Sequence, residues 1–419
     1  MTQPDDLVRH AAIGMTRRVD LPVYDSNFWA NPFDTYEQLR KEFGSIVPIK
    51  LPNGVEAWLI IGYESARNAL LDQRLSKDSG FADSNWHCSH PTHNKGHSAP
   101  VFKHLLTLDA PEHTRLRAVV QKDFTKERVD AMRPRIQELA NQLVEKMLRN
   151  EKIDLIANFA NPLPLRFICD LLGVPTADEP LFRVWSRVLV TPELDEQDSI
   201  PDVAAEMRAY LETIARGTCE DSSLFLALSA RQKRGEITMD ELTSLGFLLL
   251  VAGHETTVNL IANGALVALR SASLWRDLAK SPNSAARLSE EFLRLDSPLH
   301  WATPRFAREE LQIDGTTIEA GRTVFVAIGA ANRDYNHFED PSNPNPNRAN
   351  LTRHLSFGLG SHFCLGAGLA RLEGEIAFQT LSRNFPRMRL AEQFDSLTWR
   401  PGPIMRGLAE LPVIPDPKP

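Results

Sequence analysis

The 419-residue chain is 42% hydrophobic and 24% charged, with a formal net charge of −7. That composition excludes a disordered or collagen-like chain and gives no reason to expect nucleic acid as a partner. At this length the chain forms either several domains or one large helix-rich domain. Cys88, Cys169, Cys219 and Cys364 are the four cysteines, and they show neither metal-type pairing nor the density of a disulfide scaffold. The first residues carry no apolar signal-peptide core. The longest strongly apolar stretch, residues 245–253, is too short to span a bilayer. A cytoplasmic protein with reduced thiols and no membrane segment is expected.

Residues 1–19 read as a flexible N-terminal segment, 20–410 as one domain, and 411–419 as a frayed Pro-rich tail. Asp34-Thr35-Tyr36-Glu37 is a capping box that predicts a helix start at Asp34. Residues 47–51 and 57–61 flank Pro52-Asn53-Gly54 and predict a hairpin, and 64–72 predict a helix. Residues 79–100 are polar and unpatterned, with His87, Cys88, His90, His93 and His97, whose spacings match no common zinc site. They read as a polar lid suited to a polar substrate. Helical patterns dominate from Pro111 to about Arg294. The most persistent one opens on the capping box Thr238-Met239-Asp240-Glu241 and runs to about Arg270. Strand signals return at 311–328, an Asn- and Pro-rich loop fills 341–354, and a last helix follows Cys364. The fold class is mainly α with a small β lobe.

The segment Phe357-Gly358-Leu359-Gly360-Ser361-His362-Phe363-Cys364-Leu365-Gly366 leads into Leu369, Leu372 and Ile376 at helical spacing. Cys364 thus sits at a helix N-terminus, where free amide N–H groups and the dipole stabilise a thiolate. Gly358, Gly360 and Gly366 let the backbone approach a flat ligand, and Phe357 can cover the sulfur. The segment resembles the cysteine-ligand signature of the cytochrome P450 family, Phe-x-x-Gly-x-His-x-Cys-x-Gly, at every fixed position. The resemblance implies the cytochrome P450 fold, haem b held through Cys364 as the iron ligand, and O2 as co-substrate.

Ala252-Gly253-His254-Glu255-Thr256-Thr257 lies inside the long apolar helix, where an acid and two alcohols are costly unless they serve something. The Thr256 hydroxyl can bond the Ala252 carbonyl and open the helix. The stretch is similar to the family's oxygen-binding groove. There Ala252 and Gly253 lie against the haem, and Glu255 and Thr256 deliver protons to bound oxygen. Glu291-Phe292-Leu293-Arg294 resembles the family's Glu-x-x-Arg pair, with Arg348 as the third member and Arg353 as the alternative. His113, Arg117, Arg305 and His362 match the family's haem-propionate contacts. Together these resemblances cover about residues 20–410.

By the same resemblance, substrate contacts fall on Leu249, Ala252, Leu299, Trp301, Ala302, Ile404 and Met405. The implied reaction inserts one oxygen atom from O2 into a small organic substrate such as a secondary metabolite. Oxidative coupling or desaturation at the same centre is the alternative. Electrons come from a ferredoxin and ferredoxin reductase, or a flavoprotein. They enter near Lys103, Arg115, Lys122, Arg353 and Arg371. A haem-binding sensor or carrier would share Cys364 without needing Glu255 and Thr256, and a non-haem metalloprotein would use the His-rich loop.

Overall fold

The computed structural model describes residues 18–89, 102–149, 151–190, 199–216 and 224–416. Among them the longest helix is Met239–Leu269, and both halves of its capping box form. The Glu241 amide donates to Thr238 Oγ1 at 3.1 Å, and the Thr238 amide donates to the Glu241 carboxylate at 2.8 Å. Apolar residues cover nearly the whole circumference of this helix, so it must be surrounded. It is long and apolar enough to cross a membrane, yet 72% of its most apolar window is buried inside the fold. Helices Pro162–Leu172, Pro282–Leu295 and Ala367–Asn384 pack against it. Gly264 marks the tightest approach: a Cβ there would lie 2.4 Å from the Phe378 ring and 2.8 Å from Phe292. Those two rings meet edge to face at 5.2 Å.

The β lobe is a six-stranded sheet whose strands lie in the order β1 (Val19–Asp20), β2 (Ile46–Lys50), β3 (Glu56–Ile60), β9 (Thr323–Val326), β6 (Arg305–Ala307) and β4 (Leu75–Ser76). A separate antiparallel pair joins β7 (Leu311–Ile313) to β8 (Thr316–Ile318). The expected hairpin is β2–β3, antiparallel, with Val47 opposite Leu59. The early helix begins at Pro32, two residues before the expected start. Proline occupies its first turn, and the Asn31 side chain donates to Asp34 at 2.6 Å. Residues 79–89 are not featureless either. Helix Ser84–Ser89 carries His87 and Cys88, and its Trp86 is buried edge-on to Phe306 at 5.0 Å. His90, His93 and His97 lie outside the described residues.

Both terminal boundaries need correction. Val19 already belongs to β1, which pairs with β2. At the other end β11 (Pro412–Ile414) sits between β10 (Arg389–Leu390) and β5 (Ile153–Asp154). Leu411 and Val413 are fully buried, so the apolar residues of the expected tail complete a three-stranded sheet.

His300 is fully buried among Trp29, Phe33 and Tyr36, and neither ring nitrogen has a hydrogen-bond partner. Burial pushes its pKa far down, and Arg406 and Arg333 add to the effect. The unfolded chain gains a proton at this histidine below about pH 6.5, whereas the folded chain does not. Stability is therefore greatest above that pH and falls as pH drops through it, by up to about 1.4 kcal/mol per pH unit. Urea midpoints measured from neutral to mildly acidic pH should decline less steeply in His300→Phe than in the wild type. Equal slopes would contradict this assignment.

Candidate active site

Where helix Met239–Leu269 passes the loop before helix Ala367–Asn384, a single cavity opens between Ala252, Gly253 and Thr256 on one wall and Phe357, Cys364 and Gly366 on the other. The Cys364 side chain lines this cavity and keeps accessible surface. Its amide donates to the Phe357 carbonyl at 2.7 Å, which closes the loop under it. Gly358 and Gly360 take φ values of +67° and +73°, which favour glycine. The following helix starts at Ala367, capped by Gly366.

Burial raises the Cys364 pKa, opposed by the Gly366 backbone and by the charges of Arg117 and Arg371. Desolvation outweighs the expected effect of the helix terminus. Ligation deprotonates a thiol outright, so these contacts bear on how strongly a bound sulfur donates.

One edge of the cavity is cationic. Lys77, His113, Arg117, Arg305 and His362 all line it. Lys77 is buried and donates to the carbonyls of Thr303 at 2.9 Å and Pro304 at 2.8 Å. His113 Nε2, Arg305 Nε and His362 Nδ1 are buried without a hydrogen-bond partner. Burial and the neighbouring Arg305, Lys77 and His113 push the His362 pKa down to about 3. Buried donors and cations in this state call for an anionic partner. An apolar slot, a thiol on its floor and an edge with cations and orphaned donors fit haem, whose iron Cys364 would hold and whose carboxylates the orphaned donors would meet.

Thr256 lines the cavity, and its hydroxyl donates to the Ala252 carbonyl at 2.7 Å. The helix stays continuous through this bond rather than opening. Glu255 is buried but does not line the cavity. Its carboxylate lies 3.4 Å from Arg400 and 3.8 Å from His254. The acid reaching the cavity is Glu373, on the helix after the cysteine. Burial raises its pKa to about 8, partly offset by Thr257, whose hydroxyl is 3.5 Å away. Near neutral pH it is therefore mostly a protonated acid. It stands four residues after Leu369, on the inward stripe of that helix, and this was a readable signal. Lys77, preceded only by the short strand β4, gave none.

Glu291 and Arg294 form a bidentate pair at 2.9 and 2.7 Å with no exposed side-chain surface. Arg348 Nε adds a bond at 2.9 Å to the same carboxylate, whereas Arg353 does not join. Leu249, Ala252, Leu299 and Ala302 line the cavity as expected from the resemblance. Trp301 does not: it is fully buried and donates to the Tyr36 hydroxyl at 2.8 Å. Ile404 and Met405 also stand behind the wall. Met405 bridges to Leu299, and the Ile404 carbonyl accepts from the His300 amide at 2.8 Å. Two expected docking cations are engaged, Arg115 with Glu241 and Arg371 with Glu290, while Lys103, Lys122 and Arg353 are exposed.

The family profile for Cytochrome P450 matches residues 19–173 and 277–395. Cytochrome P450 107B1 of Saccharopolyspora erythraea is 40% identical over 94% of this chain and 98% of its own length. The 6-deoxyerythronolide B hydroxylase of the same organism is 35% identical, covering 92% of this chain and 96% of its own. The solved structure of the tirandamycin C-bound P450 monooxygenase TamI superposes with a TM-score of 0.86 at 38% identity, over 94% of this chain and 99% of that one. Matched by these relatives across nearly its whole length, this chain belongs to the cytochrome P450 family and is a haem-dependent monooxygenase.

Proposed function

We propose that the enzyme oxygenates an apolar secondary metabolite, in the cytoplasm, with electrons from a separate ferredoxin and ferredoxin reductase or a flavoprotein. The observation that carries the substrate class is the cavity wall. Leu105, Leu106, Leu248, Leu249, Leu299 and Ala302 present hydrocarbon to the space beside Thr256. Apolar walls bind by area removed from water and reject groups whose hydrogen bonds they cannot replace. The polar substrate suggested by the His-rich segment finds no support in the described wall. TamI, a relative, was solved with tirandamycin C bound.

Bound haem supplies the one-electron and oxygen chemistry. The chain's own residues hold it and control protons. Cys364 would ligate the iron, and His113, Arg117, Arg305, His362 and Lys77 would hold the carboxylates. Thr256 presents a hydroxyl at the cavity wall. Glu255 holds its carboxylate one residue away, beside the partly exposed Arg400. Glu373 holds a neutral carboxyl on the opposite wall.

The test is turnover with isotope-labelled dioxygen and a ferredoxin system, using apolar candidates selected by a haem spectral shift. One labelled oxygen atom in the product is expected. Product formed without label would favour coupling or desaturation, and spectral shifts only with polar glycosides would overturn the substrate class.

A further inference from the structure

Beside the buried Glu291–Arg294–Arg348 lock lies a second charged group that the reaction as described does not use. The Arg371 guanidinium grips Glu290 with both arms, Nε to Oε1 at 2.5 Å and Nη2 to Oε2 at 3.1 Å. Its Cζ stands 4.4 Å from the centre of the Phe357 ring. Phe357 lines the cavity, and its carbonyl accepts from the Cys364 amide. On the far side of Glu290, His354 Nε2 lies 3.1 Å from Oε2. His354 Nδ1 accepts from the Ser356 amide at 3.3 Å, so Nε2 bears the proton that is donated to Glu290. The Arg371 charge acts favourably on a Cys364 anion.

These contacts form a line from a carboxylate to the sulfur: Glu290 holds Arg371, Arg371 lies on Phe357, and Phe357 closes the loop around Cys364. A guanidinium over an aromatic face is attracted to it and keeps its charge at a fixed distance. Burial disfavours a charged Glu290, but the bonds from His354 and Arg371 outweigh that and hold its pKa at about 2. It therefore stays anionic at every working pH and partly neutralises Arg371. Side-chain exposure falls from 37% at Arg371 to 10% at Glu290 and 1% at His354. Solvent thus screens only the arginine end.

We propose that Glu290 is a positioning residue that sets, through Arg371 and Phe357, how much positive charge the Cys364 sulfur feels, and thereby the reduction potential of the haem. Hydrogen bonds and charges around a ligating sulfur are among the means by which a protein tunes haem iron. The inference rests on Cys364 being the haem ligand.

Opposed charge removals test it in the haem-loaded protein. In Glu290→Gln the amide oxygen still accepts from Arg371, but the neutralising charge is gone. More positive charge then faces the sulfur, and the ferrous state becomes easier to reach. In Arg371→Gln the cation is gone and the ferrous state becomes harder to reach. Spectroelectrochemical titration should show the ferrous-to-ferric equilibrium moving in opposite directions, each by roughly threefold to tenfold, a tenfold change being 59 mV for a one-electron couple. The double variant should return toward the wild type. Shifts of the same sign, or none, would overturn the proposal, because a merely structural role predicts parallel damage. If Glu290→Gln fails to fold, the surface-side Arg371→Gln alone decides by its sign. The CO-bound spectrum of the reduced protein, recorded on each sample, separates the two failures. Thiolate ligation with unmoved potentials defeats this inference, whereas no thiolate signature in the wild type defeats the assignment of Cys364.

Discussion

Glu291→Ala should cost the fold about 3–5 kcal/mol, the usual consequence of breaking a buried ion pair from one side. Glu291 accepts two bonds from Arg294, one from Arg348 Nε and one from the Asn345 amide at 2.8 Å, with no exposed surface. Its removal leaves two buried guanidinium groups facing each other. Arg294 keeps bonds to the Asn332 and Pro341 carbonyls at 2.9 and 2.8 Å, and Arg348 keeps bonds to the Asp340 and Asn343 carbonyls, but carbonyls do not neutralise charge. Domains are stable by only about 5–15 kcal/mol, so the variant should accumulate poorly and carry little haem. Urea denaturation checks this, with Glu291→Gln expected to fall between alanine and wild type. A loss of under about 1 kcal/mol, the scale of an exposed pair, would mean the lock does not stabilise the fold.

Thr256→Ala should leave folding and haem loading intact and reduce product formation about 100-fold, the lower end of what a positioned proton-transfer group contributes. The hydroxyl's recorded bond is to its own helix, at Ala252, so alanine loses little packing. What it loses is the hydroxyl on the cavity wall nearest Glu255. Thr256→Ser keeps that group and should recover most of the rate. Turnover assays with measured dioxygen consumption check both variants. Unchanged product in Thr256→Ala would remove this hydroxyl from the proton route and turn attention to Glu373.

Features carried by neighbouring residues were readable before the fold was known. The Thr238–Glu241 box, the Thr256–Ala252 bond and the Glu291–Arg294 pair are all local, within four positions. Arg348 was reachable because the order of segments narrowed the choice to one loop. What escaped depended on distant chain meeting in space. Lys77 reaches Thr303, Arg400 reaches Glu255, and Arg371 reaches Glu290. No spacing rule connects such partners. Trp301 misled for a related reason. Its indole donates to the Tyr36 hydroxyl on the early helix, a partner 265 positions away, and this turns Trp301 into the core while Ala302 lines the cavity. At the C-terminus prolines suggested fraying, yet Leu411 and Val413 close a sheet with a strand some 260 positions earlier, as the register of Val413 with Ile153 shows.

The central claim, that Cys364 ligates haem iron, is tested most directly by the absorption spectrum of the dithionite-reduced, CO-bound protein beside Cys364→Ala. A long-wavelength Soret band in the wild type that is lost in the folded variant is the result expected. Persistence of that band in the variant, or a histidine-type spectrum in the folded wild type, would contradict the account.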